Sequence, residues 1–434
     1  MKVEFWSSSE YSGFMLGLLR ELRASGVEAV QQSHIKEATY RKSNTRCARM
    51  LLRFRQYVVY PISLLGHLLW RRLTGRSADF VVISTNTFYA PLLATWVHPQ
   101  VVHLVYDLFP EALIHSGKLR AHSPTVRLVR WITARTMQRA AINVFLGERL
   151  LQHAQAVHPY LRRPVVIPVG ADQSLFPASP KEGLRSAGAH RTESERQDAA
   201  HVATSPLSQP GPKILYCGNF GNMHDSATLF DFWRQAAVAS VDRAAHSVGG
   251  ATTGAAAEVW PLSYGCTFQF CCSGAKRTAL DVAHAALPSA LQARIQLSGS
   301  LADAAWIEAM AVADVALVTM VAGSETVVLP SKAYSAMMAG QALLVVAPEA
   351  SDLVDLVKRA DCGWWVEPGD VAGFSKAVSA IEIEPEALLR KREAAFKYAH
   401  AQFGQERLAA LWQAALLGDV APAAGVPRGD GAQL

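Results

Sequence analysis

Two short segments in the second half of the chain carry residue types suited to holding a phosphate group. The first, Ile214–Asp225, reads ILYCGNFGNMHD. An apolar strand pattern there ends in a turn containing Gly218, Asn219 and Gly221, then opens into a helical pattern from Ser226. Such a turn offers backbone N–H groups at the positive end of a helix dipole, and glycine lets the backbone approach a diphosphate closely. The same pattern also suits a plain tight turn, and it is not the GxGxxG dinucleotide fingerprint. The second segment, Leu329–Gly340, reads LPSKAYSAMMAG. Pro330 and Ser331 mark a helix start, with Ser331 in the N-cap place. Lys332 then falls in the first turn, where the dipole disfavours a cation. Either an anion binds there, or Lys332 is a solvated surface lysine. Ser335, Ala336 and Ala339 leave that helix narrow enough for close packing.

In the first half, the loop Ser7–Gly13, which ends in Ser12 and Gly13, follows an opening strand pattern. Further on, Val105–Glu111 reads VYDLFPE. Asp107 and Glu111 at a strand end can orient a hydroxyl group, or they can form an Asp/Pro turn with a helix N-cap.

The elements that must position these residues are short, continuous apolar runs separated by helical patterns. The first half has Lys2–Trp6, Asp79–Ser84, Val101–Leu108, Ala141–Leu146 and Pro164–Val169. The second has Lys213–Cys217, Thr267–Cys272, Arg294–Leu297, Asp314–Met320, Ala342–Ala347 and Gly363–Val366. Continuous hydrophobicity means strands covered on both faces, hence parallel sheets between helices. Two such blocks predict two doubly wound α/β domains. Between them, residues 186–212 are polar and cannot bury enough surface to offset their ordering entropy, which predicts a flexible insert. A second soft stretch lies at Ser247–Ala257, and an Ala/Gly/Pro-rich tail starts at Gly418. The expected division is residues 1–178, a linker at 179–212, a second domain at 213–404, and a C-terminal helix and tail at 405–434.

Composition narrows the class. A chain of 434 residues, half of them hydrophobic, is expected to form two globular cores. Its six cysteines show neither CxxC pairs nor zinc-ligand spacing, so reduced thiols and no metal are expected. The N-terminal segment lacks the pattern of a secretory leader. No run reaches the roughly 18 apolar residues of a spanning helix. Net charge is +6, and no acidic residue lies between Glu37 and Asp79. Basic residues in 41–76 flank an apolar, aromatic-containing segment, which suits an anionic membrane surface. A core helix with a solvated basic face is the competing reading. Nucleic acid is not indicated, because no nucleic-acid-binding signature accompanies the charge.

Taken in order, "YCGNFG", "ADVALVTM", "LPSKAYSAMMAG" and "SDLVDLVKRADCGWWVEPGD" resemble the nucleotide-sugar domain of family 4 glycosyltransferases. The resemblance is to the bacterial exopolysaccharide and colanic-acid-type subgroup. "VYDLFPE" and "VIPVGAD" with Phe176 resemble the corresponding first-domain segments, and the matches bracket about residues 1–404. The resemblance implies the GT-B fold, two Rossmann-like domains facing a cleft. It implies a retaining transferase moving a sugar from a nucleotide-sugar to a saccharide or lipid-linked acceptor. The thiols and the N-terminal segment point to the cytoplasm, with the inner face of the membrane the expected place if residues 41–76 contact lipid. The donor is a substrate, and no cofactor is implied. Gly218, Asn219, Gly221, Ser331, Ser335, Ser12 and Gly13 would contact the donor. Lys332 and Arg277 would neutralise the leaving diphosphate, and Asp107 would serve the acceptor. Val327 and Ser335 replace a Glu-x7-Glu pair of many relatives, and Tyr106 replaces a histidine. Those losses keep open a binding-only or scaffold protein of the same fold. A nucleotide-sugar 2-epimerase is disfavoured because its His-rich and Gly-Glu-rich signatures are missing.

Overall fold

The computed structural model describes residues 1–9, 14–36, 46–176, 211–246, 265–325, 327 and 330–419. The expected insert at 186–212, the soft stretch at 247–257, and the tail beyond 419 lie almost wholly outside these residues. The chain divides into two compact units. One comprises Met1–Asp172, Thr326–Leu329 and Phe403–Leu434; the other comprises Gln173–Glu325 and Pro330–Gln402.

The first unit is built on strands β1 (Lys2–Ser9), β2 (Glu28–Ile35), β3 (Phe80–Ser84), β4 (Val101–Val105), β5 (Ile142–Phe145) and β6 (Pro164–Val166). They form a six-stranded sheet in the order β2-β1-β3-β4-β5-β6, parallel throughout. β4 and β5 are buried along their whole length, as two-sided covering requires. β2 is the strand the apolar-run criterion misses. Its sequence EAVQQSHI is polar and only partly buried, as an edge strand can be. Helix Tyr60–Leu73 packs Tyr60, Leu64 and Leu68 against Val81, Ile83 and Val101. It is also held to β1 through the buried Glu4, whose carboxylate lies 3.1 Å from Arg71 and 3.4 Å from His67. The last helix, Gln405–Leu417, belongs to this unit as well. Trp412 meets Phe5 edge-on at 5.5 Å between ring centres. Gly170 leaves room for Leu408, since a Cβ there would lie 2.0 Å from the leucine's Cδ1.

The second unit has β7 (Lys213–Asn219), β8 (Thr267–Ser273), β9 (Ile295–Ser298), β10 (Val315–Thr319), β11 (Ala342–Val346) and β12 (Gly363–Val366). Their order is β12-β11-β10-β7-β8-β9, again all parallel. Tyr216, Phe232, Trp233, Phe268, Phe270 and Phe374 form the aromatic centre of its core. The chain winds outward from β7 through β8 to β9, then returns and winds the other way through β10, β11 and β12. The reversal falls between β7 and β10, and ligands of doubly wound sheets bind at the carboxyl ends of such a pair. Both expected α/β sheets are therefore present.

Candidate functional site

At the carboxyl end of β7 the backbone turns at Gly218, whose φ of 127° lies in the region open to glycine. Three bonds fix this turn against its neighbours. Phe220 N–H donates to the Ser273 carbonyl at 2.6 Å, Lys276 N–H to the Phe220 carbonyl at 2.9 Å, and Val321 N–H to the Met223 carbonyl at 3.0 Å. His224 adds a fourth: its Nδ1–H donates to the Thr319 carbonyl at 2.8 Å, the tautomer that contact requires. The loops after β7, β8 and β10 are thus locked into one rim. Gly274, on the β8 loop, has φ 121° and would place a Cβ 2.3 Å from Asn219 Oδ1. Asn219 itself is exposed and packs its amide beside Gly221.

Lys332 opens helix Lys332–Met338 and reaches across this rim. Its ammonium donates to Tyr216 Oη at 2.7 Å and lies 4.0 Å from the centre of the tyrosine ring. Tyr216 in turn donates its hydroxyl to the Asn219 carbonyl at 2.8 Å. A Cβ on Gly218 would stand 4.0 Å from the ammonium, so the glycine turn and the lysine share one small space. Among the described residues no carboxylate pairs with Lys332. Burial lowers its pKa to about 7, opposed only in part by any negative charge on Cys217 and Cys272. His224 is pushed to about 3, chiefly by burial and then by the lysine charge, so it stays neutral. A desolvated cation beside a glycine turn, with no counter-ion, is a place for an anion.

A shallow recess adjoins the lysine, lined by Cys217, Trp306, Met310, Lys332, Ser335 and Gln341. Ser335 is thus brought beside Lys332. Ser331 holds the N-cap place, but it has helical φ and ψ and its exposed hydroxyl makes no capping bond. Arg277 is committed elsewhere. It pairs with Asp281 at 2.9 Å and donates to the carbonyls of Cys272 and Ser298, tying the ends of β8 and β9. Its neighbour Lys276 is the second cation on the rim, its ammonium donating to the His224 carbonyl. Burial lowers the Lys276 pKa while Asp225 raises it. The signal for Lys276 was the Lys-Arg pair opening a helix after a strand, which does not say which member turns inward. Among the described residues no group of three or more His, Cys, Asp or Glu side chains could hold a metal ion.

In the first unit, Tyr106 and Asp107 follow β4, and their N–H groups approach Thr85 Oγ1 at 3.0 and 3.4 Å. Helix Glu111–His115 is preceded by Pro110 and has no side-chain cap, so Asp107 is not its N-cap. Glu111 is bound to Arg130 at 3.0 Å. No hydrogen bond from the described residues reaches the Asp107 carboxyl, and burial raises its pKa to about 6, with Lys118 lowering it. Of the two carboxylates, Asp107 is the one left to engage a ligand. Val327 is fully buried and its carbonyl accepts from Leu108 N–H at 3.3 Å. Ser12 and Gly13 lie outside the described residues.

The Asp107 shift has a stability consequence. The fold favours the neutral acid, so this contribution is fully present below about pH 4 and is lost as pH rises through about 6. Asp107→Asn should therefore equal the wild type in acid and exceed it above pH 6, by at most about 3 kcal/mol. Denaturant midpoints of the two proteins across that range test this; a constant difference would show that Asp107 is not held neutral.

No protein-family description matches this chain, and no curated protein matches it. Solved structures do. Anabaena HepE in complex with UDP aligns at TM-score 0.62 and 14% identity, over 96% of this chain and 100% of that one. Sucrose-phosphate synthase from Thermosynechococcus elongatus aligns at 0.58 and 13%, covering 95% and 97%. A trehalose-6-phosphate protein from E. coli, bound with UDP-2-fluoro glucose, aligns at 0.58 and 12%, covering 98% and 100%. The shared feature is the fold: two six-stranded parallel sheets with flanking helices, of the GT-B type.

Proposed function

We propose that this chain is a glycosyltransferase that moves a sugar from a nucleotide-sugar donor to a saccharide or lipid-linked acceptor. The observation that carries the reading is Lys332, a half-buried cation without a carboxylate partner, set over the Gly218 turn where the strand order of the second sheet reverses. HepE has been solved with UDP-glucose, and a diphosphate of that kind is the anion whose charge and size suit the turn. In the reaction the bond between the sugar's anomeric carbon and the diphosphate oxygen breaks, and its electron pair leaves with the diphosphate. The acceptor oxygen forms the new bond on the same face of the sugar and its proton passes to the departing phosphate, so configuration is retained. Lys332 and the turn's backbone stabilise the charge that develops on the leaving group. Asp107 in the first unit serves the acceptor hydroxyl. The sequence resemblance to exopolysaccharide-assembly enzymes supports a role in surface-polysaccharide synthesis as part of this reading.

A donor screen tests this. Purified chain incubated with a panel of nucleotide-sugars and a mixed saccharide and lipid-linked acceptor pool should release a nucleoside diphosphate from one of them. Binding of a donor with no release from any would leave a protein that only holds nucleotide-sugars, the alternative that the Val327 and Ser335 replacements favour.

A further inference from the structure

The first unit carries an apolar surface that its own core does not use. Helix Arg46–Phe54, the π-helical turn Arg55–Val59 and helix Tyr60–Leu73 follow without a break, a rod of roughly 40 Å at the helical rise per residue. One side of the rod faces the core through Leu52, Tyr60, Leu64 and Leu68. A helix covered on one face normally turns polar residues to solvent on the other. This one does not. Leu51, Phe54, Val58, Ile62, Leu69 and Leu73 recur at helical spacing along its outer side, and all are exposed, Leu51 at 60%, Ile62 at 65% and Leu73 at 78%. Scattered exposed apolar residues are ordinary, but a continuous stripe marks a surface that something covers. Exposed Tyr57 and Trp70 flank it, side chains suited to the headgroup layer of a bilayer.

Charge selects the covering partner. No Asp or Glu occurs between Glu37 and Asp79, and exposed Arg49, Arg53 and Arg76 stand along the rod or just past its end. None of these three guanidinium groups has a carboxylate partner among the described residues. A second copy of the chain laid on this stripe would bring the same cations together. Among the described residues no helix is long and apolar enough to cross a membrane. We propose that residues 46–76 lie flat on an anionic lipid surface, the apolar stripe entering the headgroup boundary while the arginines pair with lipid phosphates. Contacts of Arg71 and His67 with the buried Glu4 hold the rod to β1, so docking of the rod brings the first sheet to the surface with it. This inference stands apart from the proposed activity.

Co-sedimentation of the full chain with vesicles tests it. At low salt the protein should pellet with phosphatidylglycerol-containing vesicles and remain in solution with pure phosphatidylcholine. Arg49→Glu/Arg53→Glu should weaken binding by roughly tenfold or more, since each basic residue near such a surface contributes appreciably. Ile62→Ser/Leu69→Ser/Leu73→Ser should weaken it similarly with an unchanged melting curve, because those side chains are exposed. The charge-reversal pair replaces exposed groups and keeps the test valid if the serine variant misfolds. Failure to pellet with anionic vesicles, or binding by both variants as tight as that of the wild type, overturns the proposal. So does a wild-type dimer in gel filtration that the serine variant splits into monomers, since the stripe would then be an interface between copies.

Discussion

Replacing Lys332 with alanine is expected to lower sugar transfer by about a thousandfold, the loss seen when one preorganised charge-stabilising group is removed from a transition state. Folding stability should hold or rise. The fold lowers the Lys332 pKa from 10.5 to about 7, favouring the neutral amine. The sign follows: the folded protein binds this proton more weakly than the unfolded chain, so a stability penalty develops as pH falls below about 10 and is complete below about 7. Alanine removes that penalty together with the cation–π contact to Tyr216. An arriving diphosphate restores the lysine charge, so binding at pH 8 should take up close to one proton. Calorimetry of UDP binding in buffers of different ionisation enthalpy reads that proton, and Lys332→Ala should abolish it. An activity loss matched by an equal loss of stability would reduce Lys332 to a packing residue.

Gly274→Ala is the second substitution expected to act strongly, and it acts through backbone. Its φ of 121° is strained for any side chain, and the new methyl group would lie 2.8 Å from the Phe220 carbonyl as well as 2.3 Å from Asn219 Oδ1. Relief requires the β8 loop and the Gly218 turn to separate, which breaks the Phe220–Ser273 and Lys276–Phe220 bonds. We expect a loss of about 3 kcal/mol in stability and at least about tenfold in donor affinity. Gly26→Ala isolates the strain, because Gly26 also has positive φ but nothing within 4 Å of the added carbon. Should both variants shift the urea midpoint equally and leave UDP affinity intact, the two loops are not coupled.

Much of this site was legible in the sequence, and the reasons differ by residue. Lys332 stood out because a cation in a first helical turn opposes the dipole, and Gly218 because it ended a strand. What could not be read was burial. The lysine's pKa is lowered by burial, which segments distant in sequence create together. Arg277 and Lys276 are adjacent, and only the packing of β8 against β9 shows that the arginine is spent on Asp281 and two carbonyls. No local pattern marks Gly274, because the demand for glycine there comes from Asn219, on a different strand. At the level of the fold, all the apolar runs became strands. β2 escaped because an edge strand need not be apolar, and Gln31, Gln32 and Ser33 gave no run to find.

The position of helix Gln405–Leu417 also bears on how the protein is made. Phe5 in β1 and Trp412 in that helix are joined in one core, with the whole second unit between them in sequence. On the ribosome, the first sheet emerges early but cannot close its surface until the helix containing Trp412 has been synthesised. The second unit can fold while the first waits with part of its interior uncovered. Premature termination between Val366 and Gln405 would therefore leave the amino-terminal half aggregation-prone, although every strand of both sheets had already been made.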